Sequence, residues 1–163
     1  AAAAGHLRLP TVDTPAAELA KTDFAAFAPL ADLPMAMTAH VLYEAWDADH
    51  CATLSSTLIR QVIRDTIGFD GLLMSDDLDM KALVGEIGDL AGASQLAGCD
   101  VVLNCWAKMV DMISIAEKLS SPSRESQERM AQVAASLAFA RTSDTLHQRQ
   151  AALIERRDAL MLR

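Results

Sequence analysis

The sequence predicts an α/β fold of parallel strands joined by crossover helices, and three observations carry that prediction. Three short apolar runs, Met35 to His40, Leu72 to Ser75 and Val101 to Cys105, read as strands, because a buried parallel strand is a continuous apolar run rather than an alternating one. Helical patterns separate them, so the strands recur at about 30-residue spacing, the length of a right-handed βαβ unit. Aromatic residues are scarce, at 4%, and Ala, Leu and Met take their place, which weights the rest of the chain toward helix.

Taken in order, the residues up to Val12 read as loop. Thr14-Pro15 supplies an N-cap and a first helical position for Ala16 to Ala20. After a break near Thr22, a second helix carries Phe24, Phe27 and Leu30, and Pro29 inside it should kink or end it. The first strand ends on Thr38 and His40, and Tyr43 to Thr53 reads as loop. Ser55 is a good N-cap for a helix whose apolar stripe is Leu58, Ile59, Val62, Ile63 and Ile67, and Gly68 terminates it. The stretch Gly68 to Met80 then makes a turn, a strand and, at the strand's end, two adjacent carboxylates, Asp76 and Asp77. A segment with Gly85 and Gly88 leads to a helix of small residues from about Leu90 to Ala97, stopped by Gly98. After the third strand, Lys108 to Leu119 is helical with Met109, Met112, Ile113, Ala116 and Leu119 inward. Ser121-Pro122 opens another helix with Met130, Val133, Ala134, Leu137 and Ala138 inward, and a last helix spans roughly Thr145 to Leu162 with Arg149, Arg156 and Arg157 solvated.

Length and composition bound the function. The 163 residues are one domain's worth of chain, and a hydrophobic fraction of 52% is enough for a sizeable core. Fourteen basic against 22 acidic residues give a net charge of −8, without a Lys/Arg cluster. That argues against nucleic acid and anionic membranes and is compatible with a neutral or cationic small-molecule substrate. Cys51, Cys99 and Cys105 lack metal-type spacing and read as reduced, buried, structural thiols of a cytoplasmic-type protein. No apolar run approaches the ~18 residues of a membrane span. The opening Ala1-Ala2-Ala3-Ala4-Gly5, without Met, looks like an internal cut, so a targeting segment could have been lost. No Gly-x-Gly-x-x-Gly, phosphate loop or Gly-x-Ser-x-Gly elbow is present, which removes the main signals for dinucleotide, P-loop and Ser-hydrolase chemistry. The Asp76, Asp77, Asp79 cluster lacks the Gly and distal Glu of an EF-hand loop, which argues against a metal.

What remains is the pair at the end of the second strand. Residues there project into the crevice where α/β proteins bind ligands, so either Asp is placed for chemistry; either could equally cap a following helix. Three strands are too few for a closed barrel of eight, which typically takes ~250 residues, so barrel material here would be only a part of one.

The residues Gly68-Phe69-Asp70-Gly71-Leu72-Leu73-Met74-Ser75-Asp76-Asp77-Leu78-Asp79-Met80-Lys81-Ala82-Leu83 resemble the nucleophile motif of glycoside hydrolase family 3, closest to its NagZ-type β-N-acetylglucosaminidase branch. Leu33-Pro34-Met35-Ala36-Met37-Thr38-Ala39-His40-Val41 is similar to the preceding barrel strand, Ser55 to Gly68 to the helix between, and Ala97-Gly98-Cys99-Asp100-Val101-Val102-Leu103 to the next strand. The similarity extends over roughly Gly5 to Leu119. It implies an α/β fold in which residues 1–120 are the C-terminal part of a (β/α)₈ barrel, about its last three strands with their helices, and 121–163 a C-terminal helical extension.

The resemblance also implies roles. Asp76 aligns with the nucleophile of a retaining glycosidase and Asp77 with a neighbour that orients the loop. His6-Leu7-Arg8-Leu9-Pro10 matches the end of the family's acid/base loop, which makes His6 the proton donor. The motif's Asp falls on Ala4 and its Ser/Thr on Gly5; without that Asp the imidazole loses its tautomer-fixing partner and becomes a weaker acid/base. The family's Lys-His-Phe-Pro-Gly-His-Gly segment is absent upstream. His40 is either satisfied by a backbone group near the barrel mouth or a substrate contact beside Asp76, and contact is the reading favoured. His50 and His147 carry no role. The implied activity is hydrolysis of terminal β-linked N-acetylglucosamine in cytoplasmic cell-wall muropeptide recycling, with no metal or organic cofactor. The implied partners are a GlcNAc-containing glycoside and the missing N-terminal half of the barrel. The alternatives are an inert, truncated half-barrel and a family 3 β-glycoside phosphorylase.

Overall fold

The computed structural model describes residues 9–141, 150 and 153–155. The expected α/β class holds. Three parallel strands form one sheet in the order β2 (Met35–Met37), β4 (Leu72–Asp77), β5 (Val101–Leu103). Met35 to Met37 pair in register with Leu72 to Met74. Among the described residues this sheet is open, and its central strand is the one that carries the Asp pair. A second, two-stranded parallel sheet joins β1 (Thr11–Val12) to β3 (Leu42–Tyr43). Neither strand was expected: β1 falls in the opening loop, and β3 straddles the start of the loop expected from Tyr43. Two residues are too few to show periodicity; what makes them strands is a partner, through Leu42 N–H to Pro10 O at 2.9 Å and Glu44 N–H to Val12 O at 3.1 Å.

The helices follow the expected order with altered shapes. Helix α1 is Ala16–Leu19. The expected Phe24 to Leu30 helix is instead two 3₁₀ turns, Phe24–Ala26 and Ala28–Leu30, with Pro29 at the start of the second. Proline has no N–H to continue the first turn, and only Phe24 is buried. Ser55 acts as the expected N-cap, its hydroxyl accepting the Leu58 N–H at 3.1 Å. The helix it opens, Leu58–Thr66, is wound as a π-helix that ends on an Ile67 N–H to Val62 O bond of 2.8 Å. Gly68, at φ +80°, follows it.

Helix α2 (Ile87–Ala97) ends at Gly98, φ +120°, as expected. Helix α3 (Met109–Lys118) turns a different face inward from the expected one. Ile115 is buried and, of the residues expected inward, only Leu119 packs against it, partly buried, whereas Met109, Met112, Ile113 and Ala116 are exposed. The reason lies on α2. A Cβ on Gly88 would lie 2.6 Å from the Ser114 carbonyl oxygen, so the bare glycine lets α3 approach through Ser114, Ile115 and Lys118 rather than through its methionines. Helix α4 (Arg124–Arg141) buries Val133 and half-buries Met130, while Ala134 and Leu137 are exposed; Ala138 lies outside the residues described for burial. The Thr145 to Leu162 helix falls largely outside the described residues.

One buried acid ties these pieces together. The Asp100 side chain is 2% exposed. Its Oδ2 accepts the Leu73 N–H at 2.8 Å and Arg64 Nη2 at 3.1 Å, and its Oδ1 accepts the Ser126 hydroxyl at 2.6 Å and Arg129 Nη1 at 3.1 Å. Both oxygens are thus saturated by β4, the Leu58–Thr66 helix and α4, which holds the central strand in place.

Candidate active site

Strand β4 does not run smoothly to its end. Met74 pairs with Val101 and Asp77 with Leu103, so β4 has one residue more than β5 between these pairs, a β-bulge at Ser75 and Asp76. A bulge breaks the two-residue alternation of side chains and often re-aims one beside a site. Ser75 turns fully inward and its hydroxyl accepts the Leu103 N–H at 2.9 Å. Asp76 and Asp77, next along, are both half-buried. The bulge has no signature in the sequence, because it is defined only against β5.

The two carboxylates are used differently. Asp77 Oδ1 accepts the N–H groups of Asp79 at 3.2 Å and Cys105 at 3.0 Å, while Asp79 Oδ2 accepts the Trp106 N–H at 3.3 Å. Asp77 and Asp79 therefore tie the loop after β4 to the turn after β5. Asp76 Oδ1 accepts the Asp77 N–H at 2.8 Å, and among the described residues its Oδ2 accepts no hydrogen bond. One oxygen is fixed and the other is available to a ligand.

Behind Asp76 lies a buried polar group that the sequence indicated only in part. The Asp76 N–H donates to Thr38 Oγ1 at 3.2 Å, the Thr38 and Thr53 hydroxyls are 2.9 Å apart, and Thr53 Oγ1 lies 2.8 Å from His40 Nδ1. His40 Nε2 donates to the Asp77 carbonyl oxygen at 3.0 Å. His40 is 3% exposed and both ring nitrogens are engaged, so it stands behind the carboxylate with no nitrogen presented to a substrate. Its placement fits the satisfied reading, with a backbone carbonyl as one partner. Thr53, fully buried, was expected in a loop; no local pattern marks a residue whose partners lie 13 and 15 positions away. His6, with Ala4 and Gly5, lies outside the described residues.

The thiols divide in a way the sequence did not indicate. Cys51 and Cys99 are buried, as expected, but Cys105 is exposed beside the carboxylates, a correction that follows from its place in the turn beyond β5. Partial desolvation, and then its neighbours Asp77, Asp79 and Asp76, hold the Cys105 thiol above its ordinary value, so it is a poor nucleophile. Among the described residues no group of three or more His, Cys, Asp or Glu side chains is arranged to hold a metal ion.

Known proteins resemble this chain in sequence and in fold. The family described as Glycosyl hydrolase family 3 N terminal domain matches residues 1–139. A beta-hexosaminidase of Bordetella pertussis is 38% identical over 110 residues, covering 65% of this chain and 31% of that protein. One of Alkalilimnicola ehrlichii is 43% identical over 105 residues, covering 61% and 30%. Among solved structures, the beta-N-acetylglucosaminidase of Thermotoga maritima superposes with a TM-score of 0.65 at 29% identity, over 80% of this chain and 31% of that one. A glycoside hydrolase family 3 beta-N-acetylglucosaminidase of Paenibacillus gives 0.66 at 25% identity, over 80% and 27%. The chain spans about a third of the length of these relatives. With the family matched over most of its residues and the parallel α/β fold shared, this chain belongs to glycosyl hydrolase family 3, within its N-terminal domain.

Proposed function

We propose that the chain carries the nucleophile of a retaining β-N-acetylglucosaminidase, with Asp76 in that role and His6 as acid/base. The observation that supports it best is the Asp76 carboxylate itself: it sits on a bulge at the C-terminal end of the central parallel strand, with one oxygen held and the other open. In the first step Asp76 Oδ2 bonds to the anomeric carbon, the bond to the aglycone oxygen breaks, and His6 gives that oxygen its proton. In the second, His6 takes a proton from water, the water oxygen bonds to the anomeric carbon, and the ester to Asp76 breaks, with retention.

In this proposal residues 1–120 are the last three strands of a (β/α)₈ barrel and 121–163 a helical extension, and the whole enzyme acts on GlcNAc-containing cell-wall fragments in the cytoplasm. Turnover of an aryl β-N-acetylglucosaminide by the protein carrying this chain tests it. Asp76→Ala should lower kcat by about 10³-fold or more, and a slow fluorosugar substrate should leave a glycosyl adduct on the Asp76 peptide in mass spectrometry. A variant with undiminished kcat would sink the assignment, and a rate that rises with phosphate would point to phosphorolysis.

One observation favours a second reading, that the polypeptide by itself is inert. Met35 and Met37 are 40% and 48% exposed on β2, which among the described residues pairs with β4 alone. An open edge flanked by bare apolar side chains invites association. Aggregation of the isolated chain in size-exclusion chromatography supports this reading; a monodisperse, cooperatively melting monomer contradicts it.

A further inference from the structure

We propose that Thr38, Thr53 and His40 are positioning residues: they form a one-directional hydrogen-bond clamp on the Asp76–Asp77 peptide and thereby set the orientation of the Asp76 carboxylate. Its catalytic consequence rests on the reading of Asp76 as nucleophile; the clamp itself does not.

The direction of every link follows from its ends. A carbonyl oxygen can only accept, so the 3.0 Å contact to Asp77 O requires the His40 proton on Nε2. A neutral imidazole then offers a lone pair at Nδ1, which takes the Thr53 hydroxyl proton across 2.8 Å. The Thr53 oxygen in turn takes the Thr38 hydroxyl proton across 2.9 Å, and the Thr38 oxygen takes the Asp76 amide proton across 3.2 Å. Each donor has one acceptor. The chain begins on the N–H of Asp76 and ends on the C=O of Asp77, the two groups that flank the peptide between them. That peptide's own N–H holds Asp76 Oδ1 at 2.8 Å. Fixing both flanks fixes the backbone angles of Asp76, and with them the direction of the free oxygen.

Burial makes the clamp stiff. Thr38, His40 and Thr53 are all buried, so a broken link leaves an unpaired polar group away from water rather than a hydrated one. A histidine kept only to fill the core would have no reason to end its chain on both sides of the one peptide that carries the site.

Nitrogen–proton correlation spectra of the chain should show His40 as the Nε2–H tautomer, a result that needs no variant; an Nδ1–H tautomer would overturn the clamp. Thr38→Val, which removes only the hydroxyl, should speed hydrogen exchange of the Asp76 amide by about tenfold or more, with Thr38→Ser within about threefold of wild type. The Leu73 amide, bonded to Asp100, is the internal reference for an intact fold. An Asp76 amide unmoved in Thr38→Val overturns the proposal. In the active protein, Thr53→Val should lower kcat by about tenfold or more with KM within about threefold, and Thr53→Ser should restore it. Unchanged kcat, or an effect confined to KM, overturns the positioning role. If the wild-type protein turns over no β-N-acetylglucosaminide, the hydrolase reading falls, while the tautomer and amide exchange still decide the clamp.

Discussion

Asp47 shows how a single side chain can close a loop that has no regular structure. Its Oδ1 accepts the N–H groups of Asp49 at 3.1 Å and His50 at 3.0 Å, and its Oδ2 accepts the Ser55 hydroxyl at 2.7 Å, so it joins the loop after β3 to the N-cap of the next helix. Desolvation opposes its ionisation, yet the bonds from Ser55, Asp49 and His50 together hold its carboxyl below the ordinary value. A carboxylate depressed in the folded state stabilises the fold above its unfolded value, about 3.9, and that stability is lost as pH falls through the lower folded value. Acid unfolding followed by circular dichroism should therefore be less steep below about pH 4 in Asp47→Asn than in wild type; equal slopes would refute the argument. At the same scale, Asp76 and His40 were legible as residues of interest because each ends an apolar run. How they relate was not: the direction in which His40 points depends on Thr53 and on the bulge, both set by distant segments.

Among the elements, α2 and α3 turn on two glycines whose roles can be separated. At Gly88 a Cβ would lie 2.6 Å from the Ser114 carbonyl oxygen, while at Gly92 the nearest atom, the Lys118 carbonyl oxygen, is at an ordinary 3.5 Å. Overpacking typically costs about 1–3 kcal/mol, and glycine-to-alanine gains at most about 1 kcal/mol in a helix. The clash therefore wins at Gly88 and the propensity at Gly92. Chemical denaturation should find Gly88→Ala destabilised by about 1–2 kcal/mol and Gly92→Ala stabilised by about 0.5–1 kcal/mol. The reverse order would show that α3 is not seated on Gly88. The exposed Met109, Met112 and Ile113 make the same point from the other helix. Apolar periodicity located the helix, but the face it buries was chosen by where its neighbour lacks side chains.

At the scale of the molecule, Asp100 decides whether sheet and helix α4 are one body. It joins Leu73 on β4 to Arg64, Ser126 and Arg129, and Arg129 also donates to the Asp70 carbonyl oxygen at 3.0 Å. Removing one partner of a buried, paired network typically costs about 3–5 kcal/mol, because the opposite charges stay buried without compensation. Asp100→Ala should therefore lose about 3 kcal/mol or more and release α4 first, seen as faster amide exchange in Arg124–Arg141 than in β2. Uniform destabilisation across all elements would argue that α4 is no more dependent on Asp100 than the rest. In the sequence, Asp100 was only the residue bounding an apolar run.

By itself the sequence determined the class of fold, the three strands of the main sheet with the helices between them, and the family, because apolar runs, N-caps such as Ser55 and terminating glycines such as Gly68 and Gly98 act within a few residues of chain. It also singled out Asp76, through its position at the end of an apolar strand and the motif around it. Only the tertiary structure decided that His40 faces the Asp77 backbone, that the loop after β4 is tied through Asp77 to the turn after β5, and that β4 is bulged. Each of these is a hydrogen bond or register between segments far apart in the chain, and such a bond exists only once both partners have been brought into reach.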